Sequence, residues 1–247
     1  MKISIITVCY NSGATIEKTI KSVANQTYAD IEYIIVDGNS KDDTLSIIKK
    51  HEDKITKWIS EPDKGLYDAM NKGIHFATGD VIGILNSDDI LYDNSVLESI
   101  ANFHEKNYIE ASVSNVVYTN NVGKAVRNYS ANKWIPEKLK AGLMPPHAGI
   151  YFRKELFEKH GNYSENYIIA ADFELVLRFF FKNEIIWKYL NINTTIMSMG
   201  GLSSSGFKSY RIISKEIKKA FSTNNVKCSY LKIELRLFNK LLSLMKN

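Results

Sequence analysis

Short β-branched runs alternate with helical-period segments four times before residue 107. No other feature of the chain restricts its fold as much. Residues 3–9 (ISIITVC) read as a buried strand, after which Ile16, Ile20 and Val23 recur at helical spacing. Residues 31–36 (IEYIIV) form a second strand and Asp42 to Lys50 a second helix. Ile55 to Ser60 with Gly65 to Ala77, and Val81 to Leu85 with Val96 to Lys106, repeat the unit. This alternation predicts an α/β chain: a parallel sheet with helices on both faces.

The second half is less regular. Ala111 to Tyr118 and Lys124 to Tyr129 look like strands around an Asn120-Asn121 turn, and Met144 to His147 is a loop. Ala148 to Phe152 is apolar, Lys154 to Lys159 helical, and Asp172 to Lys182 a strongly apolar helix. Met197 to Gly206 (MSMGGLSSSG) reads as a flexible segment. With 247 residues, 45% of them apolar, the chain can bury a sizeable core as one large domain or two small ones. Disordered and collagen-like classes are excluded.

Two cysteines, Cys9 and Cys228, exclude a disulfide scaffold and a cysteine-based zinc site. The opening MKISIITVCYN is too short an apolar run for a signal peptide. No stretch approaches the ~20 apolar residues of a spanning helix. The expectation is a cytosolic chain.

Charge is unevenly placed. Residues 208–247 carry ten Lys/Arg against two Glu, a balance of +8, so the first 207 residues carry −3 of the net +5. An acidic body with a basic end suits contact with an anionic surface. Nucleic acid is disfavoured, because the body has no helix-turn-helix, finger or ribonucleoprotein pattern.

Three of the predicted strands end in polar clusters: Tyr10-Asn11, Asp37 with Ser40, and Asp88-Asp89. In an open parallel sheet, ligands bind beyond the carboxyl ends of the strands, so the topology itself gathers these clusters. Taken singly, each also suits an ordinary turn or cap. Neither G-x-G-x-x-G nor a Walker lysine motif is present, which argues against dinucleotide oxidoreductases and P-loop ATPases. Adjacent carboxylates at a strand end suit a hard divalent cation, and such a cation neutralises a departing diphosphate. The pattern points to metal-assisted transfer of a group from a nucleoside diphosphate.

The runs TVCYN (7–11), VDGNSKDDT (36–44), EPDKGLYDAMNKGI (61–74), GD (79–80) and NSDDIL (86–91) resemble, in order and spacing, the family 2 glycosyltransferases. The likeness covers roughly residues 3–205 and is nearest to bacterial enzymes that build O-antigen, capsule or exopolysaccharide. It implies a GT-A fold: a Rossmann-like, mixed, mostly parallel sheet flanked by helices, here with a C-terminal helical extension. It divides residues 1–207 into a nucleotide-binding half (1–107) and an acceptor half (108–207), leaving 208–247 as a basic amphipathic tail.

The resemblance also implies roles. Thr7 and Tyr10 lie beside the base, with Asn11 in the turn. Asp37 accepts the imide N–H of a UDP-sugar's base, and Gly38 stands where many relatives have a second Asp. Lys64 and Gly65 sit near base and phosphates, and Asp68 fixes their loop. Asp89 binds Mn²⁺ or Mg²⁺, and Asp88 binds metal or the donor's ribose and sugar, an assignment open to exchange. Asn86 replaces the first acid of the usual D-x-D. In IIAADFELVLRFF, Asp172 fits the base that deprotonates an acceptor hydroxyl, with Glu174 its rival and Arg178 an i,i+4 partner for Glu174. Asp172 also suits a helix N-cap. His147 lines the acceptor pocket or serves as a third metal ligand. GGLSSSG (200–206) matches a segment that closes over the donor.

In the tail, Leu231, Leu235, Phe238, Leu242 and Met245 share a helical stripe among basic residues. It reads either as a helix docked on the body or a dimer partner, or as a contact with an anionic membrane. The second suits a lipid-linked acceptor and a place on the inner face of the cytoplasmic membrane. Two competing functions remain: a sugar-1-phosphate nucleotidyltransferase, whose Gly-rich phosphate loop TVCYNSGAT lacks, and a non-catalytic nucleotide-binding subunit.

Overall fold

The computed structural model describes residues 1–120, 123–198 and 207–235. The first half runs β1 (Ile3–Cys9), α1 (Ile16–Ala24), β2 (Ile31–Asp37), α2 (Thr44–Lys50), β3 (Lys57–Ser60), α3 (Leu66–Phe76), β4 (Val81–Ile84), β5 (Ile90–Leu91) and α4 (Val96–Asn107). The second runs β6 (Ala111–Thr119), β7 (Ala125–Tyr129), β8 (Ile150–Arg153), α5 (Glu155–His160), α6 (Ala171–Val176), β9 (Trp187–Ser198) and α7 (Phe207–Thr223). Residues 177–182 extend α6 as a wider, π-type turn.

The described strands form one sheet in the order β3-β2-β1-β4-β8-β6-β9-β5, with β7 on the same edge of β6 as β8. β1 to β4 are mutually parallel, so their carboxyl ends share one edge. Beyond β4 the sheet has the mixed character that the resemblance implies: β8 runs antiparallel to both β4 and β6, and β5 antiparallel to β9. The sheet is mixed.

Successive residues of β1 serve opposite faces. Ile6 and Val8 pack with Tyr67, Met70 and Ile74 of α3. Ile3, Ile5 and Cys9 pack with Ile16, Ile20 and Val23 of α1, Ile48 of α2 and Ile100 of α4. The alternation follows from the two-residue strand period. A Cβ at Gly73 would stand 2.3 Å from Ile6 Cγ2, so α3 lies on β1 more closely than a side chain there allows.

α7 belongs to the α3 face. Its Ile217, Ala220 and Phe221 are buried in the same cluster as Phe173 and Val176 of α6, and Ile233 of the helical stretch 230–235 joins them. GGLSSSG and the stripe residues Phe238, Leu242 and Met245 lie outside the described residues.

Candidate active site

The ends of β1 and β2 are sewn together by polar side chains. Asn11 takes the left-handed conformation (φ 50°), which asparagine tolerates. Its N–H donates to Ser40 Oγ at 2.8 Å, and its Oδ1 accepts the Lys41 N–H at 2.8 Å. Asp37 is fully buried. Its Oδ1 accepts the Ser40 hydroxyl, and its Oδ2 accepts the Ser40 N–H at 3.0 Å and the Ser60 hydroxyl at 2.7 Å. The Cys9 thiol also faces it, and burial, reinforced by the Asp37 charge, pushes that thiol far up. Thr7 is buried within β1 and accepts the Tyr33 hydroxyl at 3.1 Å. Tyr10, by contrast, is 62% exposed and offers an open ring at the strand edge.

Gly38 lies beside that ring. A Cβ at Gly38 would meet Asp63 Oδ2 at 2.3 Å and Tyr10 Cδ2 at 3.4 Å. The Asp63 carboxylate thus occupies the space a side chain at 38 would take. Its other oxygen accepts the Gly65 N–H at 2.8 Å. Gly65 has φ +128°, a conformation that L side chains rarely adopt. Asp68 accepts the Lys64 N–H at 2.9 Å and faces Lys72 at 3.5 Å; the Lys64 bond holds its carboxyl below the usual range. The Lys64 ammonium is exposed and lies 3.7 Å from Glu165.

After β4 the chain turns through Asn86-Ser87-Asp88-Asp89. Thr19 of α1 donates to the carbonyls of Ser87 (3.0 Å) and Asp89 (2.7 Å), fixing the turn. Asp88 is exposed, and its carbonyl accepts the Ser198 hydroxyl at the end of β9. Asp89 is 1% exposed. Burial, with the Asp88 charge second, pushes its carboxyl up to about 8. Asn86 Nδ2 donates to Asp89 Oδ2 at 3.2 Å, while Asn86 Oδ1 is buried with no partner among the described residues. An orphaned oxygen, a buried carboxylate with no basic partner among the described residues and an exposed carboxylate fit a hard divalent cation. His147 does not join them. Among the described residues no three His, Cys, Asp or Glu side chains converge, and His147 Nε2 bonds the Tyr163 hydroxyl instead. Burial pushes this imidazole down to about 4, so near neutral pH it is the uncharged partner.

Asp172 stands in the first turn of α6, where its Oδ1 meets the Phe173 N–H at 2.7 Å. Its charge, after burial, helps raise the phenols of Tyr67 and Tyr163, whose rings stack 5.8 Å apart. Glu174 is differently placed. It is buried and gripped by Arg178 through Nε–Oε1 and Nη2–Oε2 bonds of 2.9 Å each, and Asn224 of the chain beyond α7 adds a third contact at 3.0 Å. Arg178 also donates to the carbonyls of His160, Gly161 and Asn162. Glu174 is therefore committed to a structural fork, whereas Asp172 is half-buried rather than buried.

Sequence reasoning did not single out Asp63, Tyr67, Asn71 or Tyr163. Their signals were the glycine at 38 and the unexplained polar positions of EPDKGLYDAMNKGI. Tyr67 donates to the Ile169 carbonyl, and Asn71 bonds the backbone of Tyr163. The motif after β3 therefore meets both the nucleotide edge and the segment leading to Asp172.

The family model described as glycosyl transferase family 2 matches residues 4–199. A PGL/p-HBAD biosynthesis glycosyltransferase of Mycobacterium tuberculosis (strain ATCC 25177 / H37Ra) is 29% identical over 220 residues, covering 87% of this chain and 82% of the relative. An uncharacterised glycosyltransferase of the CDC 1551 / Oshkosh strain is 32% identical over 182 residues, covering 71% and 68%. Among solved structures, S. aureus TarS 1–349 in complex with UDP-GlcNAc superposes with a TM-score of 0.73 at 20% identity, over 94% of this chain and 69% of that one. The mannosyltransferase PcManGT of Pyrobaculum calidifontis, in complex with GDP-Man and Mn²⁺, gives 0.63 at 16% identity, over 90% and 63%. At these identities the likeness to the solved chains is one of fold.

Proposed function

The chain belongs to glycosyl transferase family 2 and carries its GT-A fold, and from that premise we propose an inverting transferase that moves a sugar from a UDP-sugar to a polyprenyl-diphosphate-linked saccharide. The observation that carries the reading is the common edge of β1 to β4. It presents an exposed aromatic ring, an oxygen-donor cluster at 86–89 and, across the α3 motif, a half-buried carboxylate at 172.

Each residue then has a task. Tyr10 offers its ring to the base. Thr7, Asn11 and Asp37 shape the floor beneath it, since their polar atoms already hold neighbouring strands. Gly65 and Asp68 set the loop that brings Lys64 toward the phosphates. Asp88 and Asp89, with Asn86 Oδ1, would hold a divalent cation. Bound Mn²⁺ or Mg²⁺ supplies positive charge to the diphosphate leaving group. Asp172 accepts the proton of the acceptor hydroxyl as that oxygen attacks the anomeric carbon from the opposite face, inverting it. His147 lines the acceptor side through Tyr163.

Support for a lipid-linked acceptor comes from the basic end of the chain and from the likeness to a glycosyltransferase of PGL/p-HBAD biosynthesis. In the helical stretch 230–235, Tyr230, Leu231 and Leu235 remain exposed although Ile233 is buried. No helix among the described residues is long and apolar enough to cross a membrane. Those exposed apolar side chains beside basic ones support a peripheral place on the inner face of the cytoplasmic membrane, as a monomer or a homodimer.

The test is UDP release from a panel of UDP-sugars with crude lipid extract as acceptor, in Mn²⁺ and in EDTA, for the parent and Asp172→Asn. Metal-dependent release from one donor, abolished in the variant, is expected. Release that survives Asp172→Asn would move the base elsewhere.

A further inference from the structure

The segment before Asp172 is held from two sides. On one side, Tyr67 of α3 donates its hydroxyl to the Ile169 carbonyl. On the other, Glu216 of α7 reaches back across 46 to 48 residues. Its Oε1 accepts the Ile168 N–H at 2.6 Å, and its Oε2 accepts those of Ile169 at 3.0 Å and Ala170 at 2.9 Å. Three consecutive backbone donors thus converge on one carboxylate that is only 7% exposed.

The chemistry of the segment explains why a carboxylate stands there. The N–H groups ahead of a helix have no intrahelical partner, and here Ala170 precedes α6 with no side-chain cap of its own. An ionised carboxylate satisfies them with charge-assisted bonds and suits the positive end of the helix. The remaining contacts of α7 reinforce the grip. Lys219 donates to the Asn166 carbonyl at 2.8 Å, the ring of Phe221 meets Phe173 edge-on at 5.8 Å, and Asn224 bonds Glu174. Residues 166, 168–170, 173 and 174 are therefore all fastened to a stretch beginning nine residues after Phe207.

We infer that Glu216 is a positioning residue for the transfer reaction: by clamping the N–H groups of 168–170 it sets where the Asp172 carboxylate stands relative to the acceptor hydroxyl. This rests on the reading of Asp172 as the base. A general base works only within hydrogen-bond reach of its proton, and a displacement of about 1 Å costs on the order of a hundredfold in rate. Binding of the nucleotide, at the far side of α3, does not depend on the clamp.

The test compares the full-length parent with Glu216→Ala, Glu216→Gln, Asp172→Asn and the Glu216→Ala/Asp172→Asn pair. Three quantities are read: kcat for UDP release from the donor chosen by the panel, Kd for UDP with Mn²⁺ by calorimetry, and amide exchange of the 163–175 peptide by mass spectrometry. Glu216→Ala is expected to speed exchange at 168–170 and to lower kcat at least about tenfold, with Kd for UDP unchanged. Glu216→Gln retains one acceptor oxygen, enough for the Ile169 and Ala170 bonds, and is expected to recover most of kcat. In the Asp172→Asn background, the Glu216→Ala change should cost nothing further.

An unchanged kcat in Glu216→Ala, or losses in kcat and UDP affinity together, or additive losses in the pair, would overturn the inference. If Glu216→Ala does not fold, Glu216→Gln decides by the same split: parent-like exchange with a collapsed kcat would overturn it. Full activity of Asp172→Asn alone is the separate signature that the base itself was misassigned.

Discussion

Asn71 and Tyr163, 92 residues apart, hold each other in both directions: the amide Nδ2 donates to the Tyr163 carbonyl at 2.9 Å, and the Tyr163 N–H donates to Oδ1 at 3.0 Å. An asparagine side chain pairing in this way imitates a strand neighbour, and it joins α3 to the loop that precedes α6.

Replacing Asn71 by Ala leaves a part-buried N–H and C=O without partners. The expected cost is about 1–3 kcal/mol, measured as a shift in the urea midpoint. Asn71→Asp keeps the acceptor but loses the donor, and should fall between the parent and Ala. A stability of Asn71→Ala equal to that of the parent would show that water replaces both bonds.

Arg178 binds Glu174 as a fork and caps three carbonyls at 160–162. Truncation to Met strands a buried carboxylate, for which about 3–5 kcal/mol of destabilisation is expected by urea unfolding. Arg178→Lys cannot reproduce the fork and should recover less than half of that loss. Replacing both partners, as in Glu174→Gln with Arg178→Met, is expected to be milder than Arg178→Met alone.

Acid should destabilise the protein through two histidines. Burial, with the Arg153 charge second, pushes His104 down to about 4, and burial alone does the same to His147. Unfolded chains protonate these imidazoles near pH 6.5, whereas the folded protein resists until about 4. Their contribution is complete above pH 6.5 and falls away as pH drops toward 4. Asp89 works in the opposite sense: with its carboxyl raised to about 8, its contribution is lost as pH rises from about 4 to 8. The useful quantity is therefore a difference. Between pH 7 and 5, His104→Gln should lose about 2 kcal/mol less stability than the parent. Parallel stability curves would mean that His104 is protonated in the folded protein.

Leu231 and Leu235 are 70% and 46% exposed on a helical stretch whose Ile233 faces inward. Changing both to Ser should weaken cosedimentation with anionic liposomes several-fold while leaving UDP affinity intact. Undiminished cosedimentation would remove this stretch from the membrane contact.

The first half of the fold was legible because each strand is a short, buried, β-branched run closed by a polar turn, so periodicity and punctuation agree. β9 was not. Its register against β6 slips twice: Ser114 pairs with Leu190, Asn115 with Asn193 and Val116 with Thr195. The residues bulged out between these pairs break the two-residue pattern by which a strand is read. Thr194, buried against Ser114, also puts a polar side chain on an inward-facing position of the strand. The site was legible as strand-end chemistry, since Tyr10, Asp88 and Asp89 stand at the edge that topology predicts. Asp37 carried the same signal, yet it sits beneath that edge, because a buried carboxylate needs partners and Ser40 and Ser60 provide them. Glu216 gave no local signal. Its partners are backbone N–H groups 46 to 48 residues upstream, and a basic helix with one glutamate looks like solvated surface.

A ribosome delivers this protein in an order that the Glu216 clamp makes consequential. The four parallel strands that form the proposed nucleotide edge are complete once residue 84 has emerged, with α1, α2 and α3 already made and α4 following. The donors of 168–170 emerge before the carboxylate that satisfies them. Until α7 arrives, the growing chain has the proposed nucleotide edge, while the segment leading to Asp172 lacks its Glu216 contacts. On the proposed assignment of Asp172, α7 thus brings catalytic competence later in synthesis than the capacity to bind donor.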